Sequence, residues 1–104
     1  MGRAPQLDEV IALLKQHESF FREKGVTRLA VFGSVARGDA TEESDIDLVV
    51  DIDPGARFDL FDLVELGQES GGLVHRKVDV LMRRSLKPQL RSVVERDGVN
   101  VFGG

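Results

Sequence analysis

Residues 30–53 read AVFGSVARGDATEESDIDLVVDID, and this stretch decides the fold. It predicts a buried strand that ends at Gly33-Ser34, a short helical turn, a polar loop and a second strand that carries Asp45 and Asp47. Side chains two residues apart on a strand point the same way, so these two aspartates share one face of the sheet. The opposite face carries an unbroken apolar row, namely Ile46, Leu48, Val50 and Ile52.

The two neighbouring carboxylates repel each other, and a divalent cation is the usual way in which proteins offset that repulsion. Mg²⁺ prefers hard oxygen ligands and is commonly bound by one or two carboxylates together with substrate phosphates. The Gly33-Ser34 corner suits a phosphate, because glycine lets the backbone approach a ligand and the following turn presents free N–H groups. Each element alone is more often a plain turn or a solvated strand face. Their order, with 11 residues from Ser34 to Asp45, predicts a metal-dependent site that handles phosphate groups.

The motif GSVARGDATEESDIDLVV closely resembles the signature of minimal nucleotidyltransferases, the small members of the polymerase-β-like superfamily. That signature is a Gly-Ser, an Asp-x-Asp flanked by apolar residues, and a third carboxylate on a later strand, for which KVDVL offers Asp79. The resemblance covers nearly the whole chain and implies a single domain, residues 1–104. It also implies an α/β (α+β) fold like the nucleotidyltransferase palm, with a small mixed β-sheet, helices packed on one face and the carboxylates on the open face.

The resemblance implies a reaction in which a nucleoside monophosphate, AMP from ATP in the first instance, is transferred to a hydroxyl group. Asp45, Asp47 and Asp79 would be the catalytic residues and would bind one or two Mg²⁺ ions, with Asp79 also serving as general base. Gly33 and Ser34 would hold the triphosphate of the ATP substrate.

Two further residues are candidates for nucleotide binding, and each has an alternative. Arg37 could reach phosphate oxygens in bidentate fashion, or could form a surface ion pair with Asp39, Glu42 or Glu43. Ser44 could hydrogen-bond the neighbouring carboxylate or the backbone of the loop.

The same resemblance implies the acceptor. Free-standing proteins of this length resemble the antitoxin of HEPN/MNT toxin–antitoxin pairs, which binds a HEPN ribonuclease toxin and silences it by attaching AMP to a tyrosine. This chain contains no tyrosine, so the acceptor tyrosine would belong to another molecule. Two alternatives remain open: a binding module that neutralises its partner by contact alone, and a small-molecule transferase of the aminoglycoside type.

Composition restricts the other functions. With 41% hydrophobic and 31% charged residues, the chain is typical of a globular protein with one core. There is no apolar run of the ~20 residues that span a bilayer, and no apolar secretion segment. The absence of cysteine excludes disulfides and fits the cytoplasm. The net charge of -4 disfavours direct nucleic-acid binding, which usually requires a positive surface.

Hydrophobic spacing and turn residues predict the remaining elements. Asp51 should face solvent rather than the metal, and His75 and Lys77 could line the acceptor side. The first half should contain a helix over 6–24 that ends at Gly25 and a strand over 27–32. A helix over 58–69 should then be broken at Gly71-Gly72 and be followed by a strand over 73–82. The last helix should begin near Pro88, bury Leu90, Val93 and Val94 and stop at Gly98, before a short edge strand over 99–102.

Overall fold

A computed structural model describes residues 3–103, which form a four-stranded mixed sheet and its helices. The strands are β1 Val26–Phe32, β2 Ile46–Ile52, β3 Val78–Met82 and β4 Val99–Phe102, and they lie in the order β3-β2-β1-β4. β1 pairs antiparallel with both β2 and β4, and β2 pairs parallel with β3. The mixed α/β sheet, the inner position of β1 and the edge strand at the end of the chain are therefore confirmed.

The helices are α1 Leu7–Gln16, α2 Glu18–Glu23, α3 Gly33–Arg37, α4 Leu60–Val74 and α5 Pro88–Asp97, with a 3-10 turn at Arg83–Ser85. None of the helices within residues 3–103 has both the length and the apolar character that crossing a bilayer would require.

The main core lies on the sheet face that carries the apolar row of β2. Leu14 of α1, Phe21 of α2 and Leu66 of α4 are all almost fully buried there against Leu48 and Val50. Burying each such side chain contributes about 1.5–3 kcal/mol. This packing fixes which face of β2 points inward, and the period of two then turns Asp45 and Asp47 to the other face.

The carboxylate face is only partly open, because α5 packs on it. Ala30 and Val49 form a second small core with Val94 of α5 and the neighbouring Leu86. The expected arrangement, with helices on one face, holds for α1, α2 and α4 but not for α5. The carboxylate face also carries apolar residues that have to be buried, and α5 buries them over the middle of the sheet. The end of the sheet with the aspartates is left free. Val94 is buried as expected, whereas Leu90 remains 37% exposed.

The first helix is interrupted, which the sequence did not signal. α1 ends at His17, whose backbone (φ -108°, ψ 21°) leaves the helical region, and α2 begins at the next residue. The change of direction brings the ring of Phe21 to 6.2 Å from that of Phe102 on β4. Tertiary packing imposes this break, since neither proline nor glycine marks it. Gly25 ends α2 at φ +99°, as its position predicted.

The prediction that Gly71-Gly72 breaks the fourth helix, and that a strand starts at residue 73, is wrong. α4 continues through both glycines to Val74, and β3 begins only at Val78. A Cβ added to Gly71 would lie 3.0 Å from the carbonyl oxygen of Arg76, so the absent side chain lets the helix lie close to the segment that returns into β3. Close packing thus offsets the low helix propensity of glycine.

Replacing Gly72 by alanine tests the continuous helix. A Cβ at this position would meet no atom within 4 Å, and its φ is not positive. We expect the free energy of unfolding to rise by about 0.5–1 kcal/mol, because alanine is favoured over glycine inside a helix by that amount. Urea denaturation followed by circular dichroism measures the change. A loss of stability would contradict a helix that continues to Val74.

Candidate active site

The register of the sheet brings Asp47 and Asp79 side by side. Asp47 of β2 pairs with Asp79 of β3 on one side and with Phe32, the last residue of β1, on the other. Neighbouring strands lie ~4.8 Å apart, and paired residues point to the same face. Asp45 precedes Asp47 by two residues and shares that face, so the three predicted carboxylates lie at one end of one face of the sheet.

Gly33 lies directly against the carboxylate of Asp47. It follows β1 as the first residue of α3, and its φ is +74°, a backbone conformation that side chains other than glycine rarely adopt. A Cβ at this position would collide with Oδ2 of Asp47 and would lie 3.1 Å from its Cγ. The glycine of the Gly-Ser corner therefore makes room for a candidate catalytic carboxylate, in addition to the predicted role of admitting a phosphate.

The pKa of Asp47 is raised above its ordinary value. Partial burial is the largest cause, followed by the negative charges of Asp79 and Asp45, while Arg37 acts in the opposite direction. Asp47 therefore lies among negative charges, and Arg37, which acts in the opposite direction, has a smaller effect on its pKa than either carboxylate. A bound divalent cation would neutralise this negative charge.

Replacing Asp47 by asparagine should make the metal-free protein more stable at neutral pH. A carboxyl group with a raised pKa in the folded state favours folding only while it is protonated. That contribution is complete below the ordinary pKa of ~3.9 and is lost as the pH rises through the raised value. We therefore expect the stability difference between Asp47→Asn and the wild type to be positive at pH 7 and to shrink towards pH 4.

Chemical denaturation at several pH values, with a chelator present, measures that difference. Glu43→Gln is the matched control, because Glu43 is exposed in the loop before Asp45 and forms no ion pair with a Lys or Arg of residues 3–103. If Asp47→Asn raised the free energy of unfolding equally at all pH values, the shape of the side chain rather than its charge would explain the increase in stability.

The donor set suits Mg²⁺, although the side chains do not form a finished metal site. Three carboxylates on one face supply the hard oxygen atoms that Mg²⁺ prefers, and the excess negative charge at Asp47 favours a cation. Within residues 3–103, however, no group of three or more His, Cys, Asp or Glu side chains is arranged to hold a metal ion. Asp45 is instead paired with a cation of the protein itself, since Nζ of Lys77 lies 3.7 Å from its Oδ2.

Lys77 is fixed next to the site by the backbone. Its carbonyl oxygen accepts a hydrogen bond of 3.0 Å from the N–H of Ile46, the residue after Asp45. Lys77 also precedes Asp79 by two residues. The strand period therefore indicated that Lys77 shares a face with Asp79. From the sequence, Lys77 was expected to line the side of the site where the acceptor binds.

Arg76 is a positioning residue that the sequence did not reveal. Its guanidinium donates hydrogen bonds to the carbonyl oxygens of Glu42 (2.7 Å) and Ser44 (3.1 Å). These bonds hold the loop that leads into Asp45. The two partners are more than 30 positions away along the chain, so no local pattern could have indicated the contact.

The two remaining candidates form local contacts. Oγ of Ser44 accepts a hydrogen bond of 2.8 Å from the N–H of Thr41, so it orders the loop backbone, one of the two roles considered for it. Nε of Arg37 lies 3.3 Å from Oδ2 of Asp39, the surface pair considered as an alternative, and the side chain is 45% exposed. Arg37 still influences the pKa of Asp47, so its charge acts within the site. His75 takes the left-handed conformation (φ 56°) that ends α4.

Comparison with known proteins connects this arrangement to a family. Residues 14–101 match the family described as "Nucleotidyltransferase domain", and this range contains every candidate residue named above. A curated relative, the protein adenylyltransferase MntA of Thermococcus cleftensis, is 36% identical over 96 residues, which are 91% of this chain and 95% of that protein.

Solved structures share the fold. One, provisionally described as a minimal nucleotidyltransferase, is 37% identical, covers 91% of this chain and 95% of its own, and superposes with a TM-score of 0.76. Another, a mutant of the MntA–HpeT toxin–antitoxin pair, is 25% identical with a TM-score of 0.72 and covers 88% of this chain and 72% of its own. The similarity thus extends over nearly the full length of two of these three proteins.

Proposed function

Because the chain belongs to the nucleotidyltransferase domain family, we propose that it transfers AMP from ATP to a hydroxyl group of a partner protein. The observation that carries the proposal is the contact between the backbone of Gly33 and the carboxylate of Asp47, with Asp79 paired beside it. A phosphate-binding corner and a cluster of carboxylates are thereby joined in one site. Such a site can hold a triphosphate and also take a proton from an attacking hydroxyl.

Each residue has a separate task in this proposal. The backbone of Gly33 and the hydroxyl of Ser34 bind the β- and γ-phosphates, and Arg37 leaves Asp39 to reach phosphate oxygens. Asp79, the most exposed of the carboxylates, faces the acceptor and takes the proton of its hydroxyl. Arg76 and Ser44 keep the loop before Asp45 in place. Positioning and charge neutralisation supply most of the rate in reactions of this kind.

Asp45, Asp47 and Asp79 would hold Mg²⁺, as one or two ions. When bound, the metal neutralises charge on the triphosphate and makes the acceptor hydroxyl more acidic. For Asp45 to bind a metal, its carboxylate has to leave Lys77, an exposed pair that contributes at most about 1 kcal/mol.

The partner is inferred from the relatives. One relative is named a protein adenylyltransferase, and the same MntA name occurs in a toxin–antitoxin pair of similar fold. We infer that this chain acts on a HEPN-type toxin, at a tyrosine, and thereby works as its antitoxin. The cytoplasm, which supplies ATP, is the compartment that the proposal requires.

Transfer of a label tests the proposal directly. The chain is mixed with ATP labelled at the α-phosphate, Mg²⁺ and a HEPN-type protein as the candidate partner. We expect label on the partner, loss of label when a chelator is added, and no label from ATP labelled at the γ-phosphate. Neutralisation of the toxin without any transfer would instead support action by contact alone, and label on an aminoglycoside but not on protein would support the small-molecule alternative.

A further inference from the structure

An apolar patch lies on the surface next to the candidate active site. The large apolar side chains that residues 3–103 leave exposed are Leu60 (70%), Phe61 (83%), Val64 (53%) and Leu90 (37%). The first three lie in the first turns of α4, and Leu90 lies in α5. Apolar groups that cluster on a surface commonly mark an interaction site. These four residues are called the α4–α5 patch below.

Two residues of the patch border a preformed depression. Leu60 and Leu90 line a cavity of about 570 Å³, whose wall consists mainly of apolar side chains, among them Leu63, Leu81 and Leu86. Its size falls within the ~300–1,000 Å³ range of pockets that accept a large side chain or a small ligand. A bulky apolar side chain of a partner could therefore enter it.

The patch is continuous with the site around Asp79. Leu63 lines the apolar cavity and also a second groove of about 510 Å³, which contains Val64, Lys77 and Asp79. Leu81 of the cavity follows Asp79 by two residues on β3 and lies on the same face, ~6.6 Å further along the strand. β3 is an edge strand, so its outer side is not covered by another strand. A protein that presents a hydroxyl to Asp79 from this side would cover the patch.

Charges on α4 indicate the chemistry of that protein. Asp59, Asp62 and Glu65 flank the exposed apolar side chains, and none of the three forms an ion pair with a Lys or Arg of residues 3–103. Asp59 and Asp62 accept hydrogen bonds from each other's backbone N–H at the start of α4, which hold both carboxylates at that end of the helix. An apolar centre with a charged rim is the usual composition of a protein interface.

We propose that the α4–α5 patch is the docking surface for the protein that carries the acceptor hydroxyl, and that this protein meets it with an apolar face flanked by basic side chains. The inference rests on the proposed function for the identity of the partner. Docking here fixes the partner so that its hydroxyl reaches Asp79.

Polar substitution of the patch tests the docking surface. The variant Phe61→Ser with Val64→Ser changes exposed side chains only, so the fold should be kept. With the same HEPN-type protein as probe, we expect KM for that protein to rise about 10-fold or more, as for central interface residues, while kcat stays within about twofold. The stabilisation of the chain by ATP and Mg²⁺, measured by thermal melting, should be unchanged. An unaltered KM would overturn the proposal.

A pair of charge variants tests the acidic rim. Glu65→Lys should weaken binding of the partner more than Glu23→Lys, which makes the same charge change on α2. Equal effects would overturn the rim assignment. If the wild type binds the partner through the patch but transfers no label, the proposed function fails while the docking surface stands. A wild type that is a dimer, and that Phe61→Ser with Val64→Ser makes monomeric, would assign the patch to a second copy and overturn the proposal.

Discussion

Replacing Gly33 by alanine is expected to abolish most of the transferase activity while the protein still folds. The new Cβ would collide with Oδ2 of Asp47, so either the carboxylate or the start of α3 has to move. A displacement of ~1 Å at a reacting group can cost ~10²-fold in rate, and here both the Gly-Ser corner and the carboxylate proposed to be catalytic are displaced. We therefore expect kcat/KM to fall by at least about 10²-fold in the label-transfer assay.

Gly38→Ala is the matched control for this substitution. Gly38 ends α3 at φ +82°, close to the +74° of Gly33, but a Cβ at Gly38 would meet no atom within 4 Å. Both variants carry the strain of a left-handed alanine, about 1–2 kcal/mol of stability. Only Gly33→Ala disturbs Asp47. If Gly38→Ala lost as much activity as Gly33→Ala, backbone strain in α3 rather than the contact with the carboxylate would explain the loss.

The position of the site could be predicted from the sequence because it depends on a local rule. The period of two on a strand places Asp45 and Asp47 on one face, and the apolar row behind them fixes which face is buried. Asp79 was instead implied by the resemblance as the third carboxylate, and the register of β2 and β3 pairs it with Asp47. The direct contact between Gly33 and Asp47 was beyond this reasoning, since it depends on how α3 turns over the end of β2.

Features that depend on distant contacts could not be predicted. The glycine pair in α4 has the composition of a helix end, yet Gly71 packs so close to the carbonyl of Arg76 that the helix continues. The break at His17 arises where Phe21 meets Phe102. Arg76 orders the loop before Asp45 from a position more than 30 residues away. In each case, tertiary packing decides between conformations that the local sequence leaves similar in energy.

The substitution Asp45→Asn with Asp47→Asn is expected to abolish transfer without unfolding the protein. Neither asparagine can supply the charge that holds Mg²⁺, and loss of a single preorganised stabilising group in an active site already costs ~10²–10³-fold. We expect label transfer to fall by at least about 10³-fold. The melting temperature without metal should stay the same or rise, because the partly buried charge of Asp47 and the neighbouring charge of Asp45 are both removed. Stabilisation by Mg²⁺ with ATP should disappear.

The substitution Asp51→Asn with Asp53→Asn provides the comparison, because it also removes two negative charges, but at the other end of β2. Asp51 accepts a hydrogen bond of 2.9 Å from Nε of Arg83, whose side chain is only 19% exposed, so this variant should lose about 1 kcal/mol of stability. Its transfer rate should stay within about twofold of the wild type, since the proposed site, where transition-state charge would develop, lies at the other end of β2. The first double variant should therefore lose activity but not stability, and the second should lose stability but not activity. Transfer at the native rate by Asp45→Asn with Asp47→Asn would refute the assignment of the site.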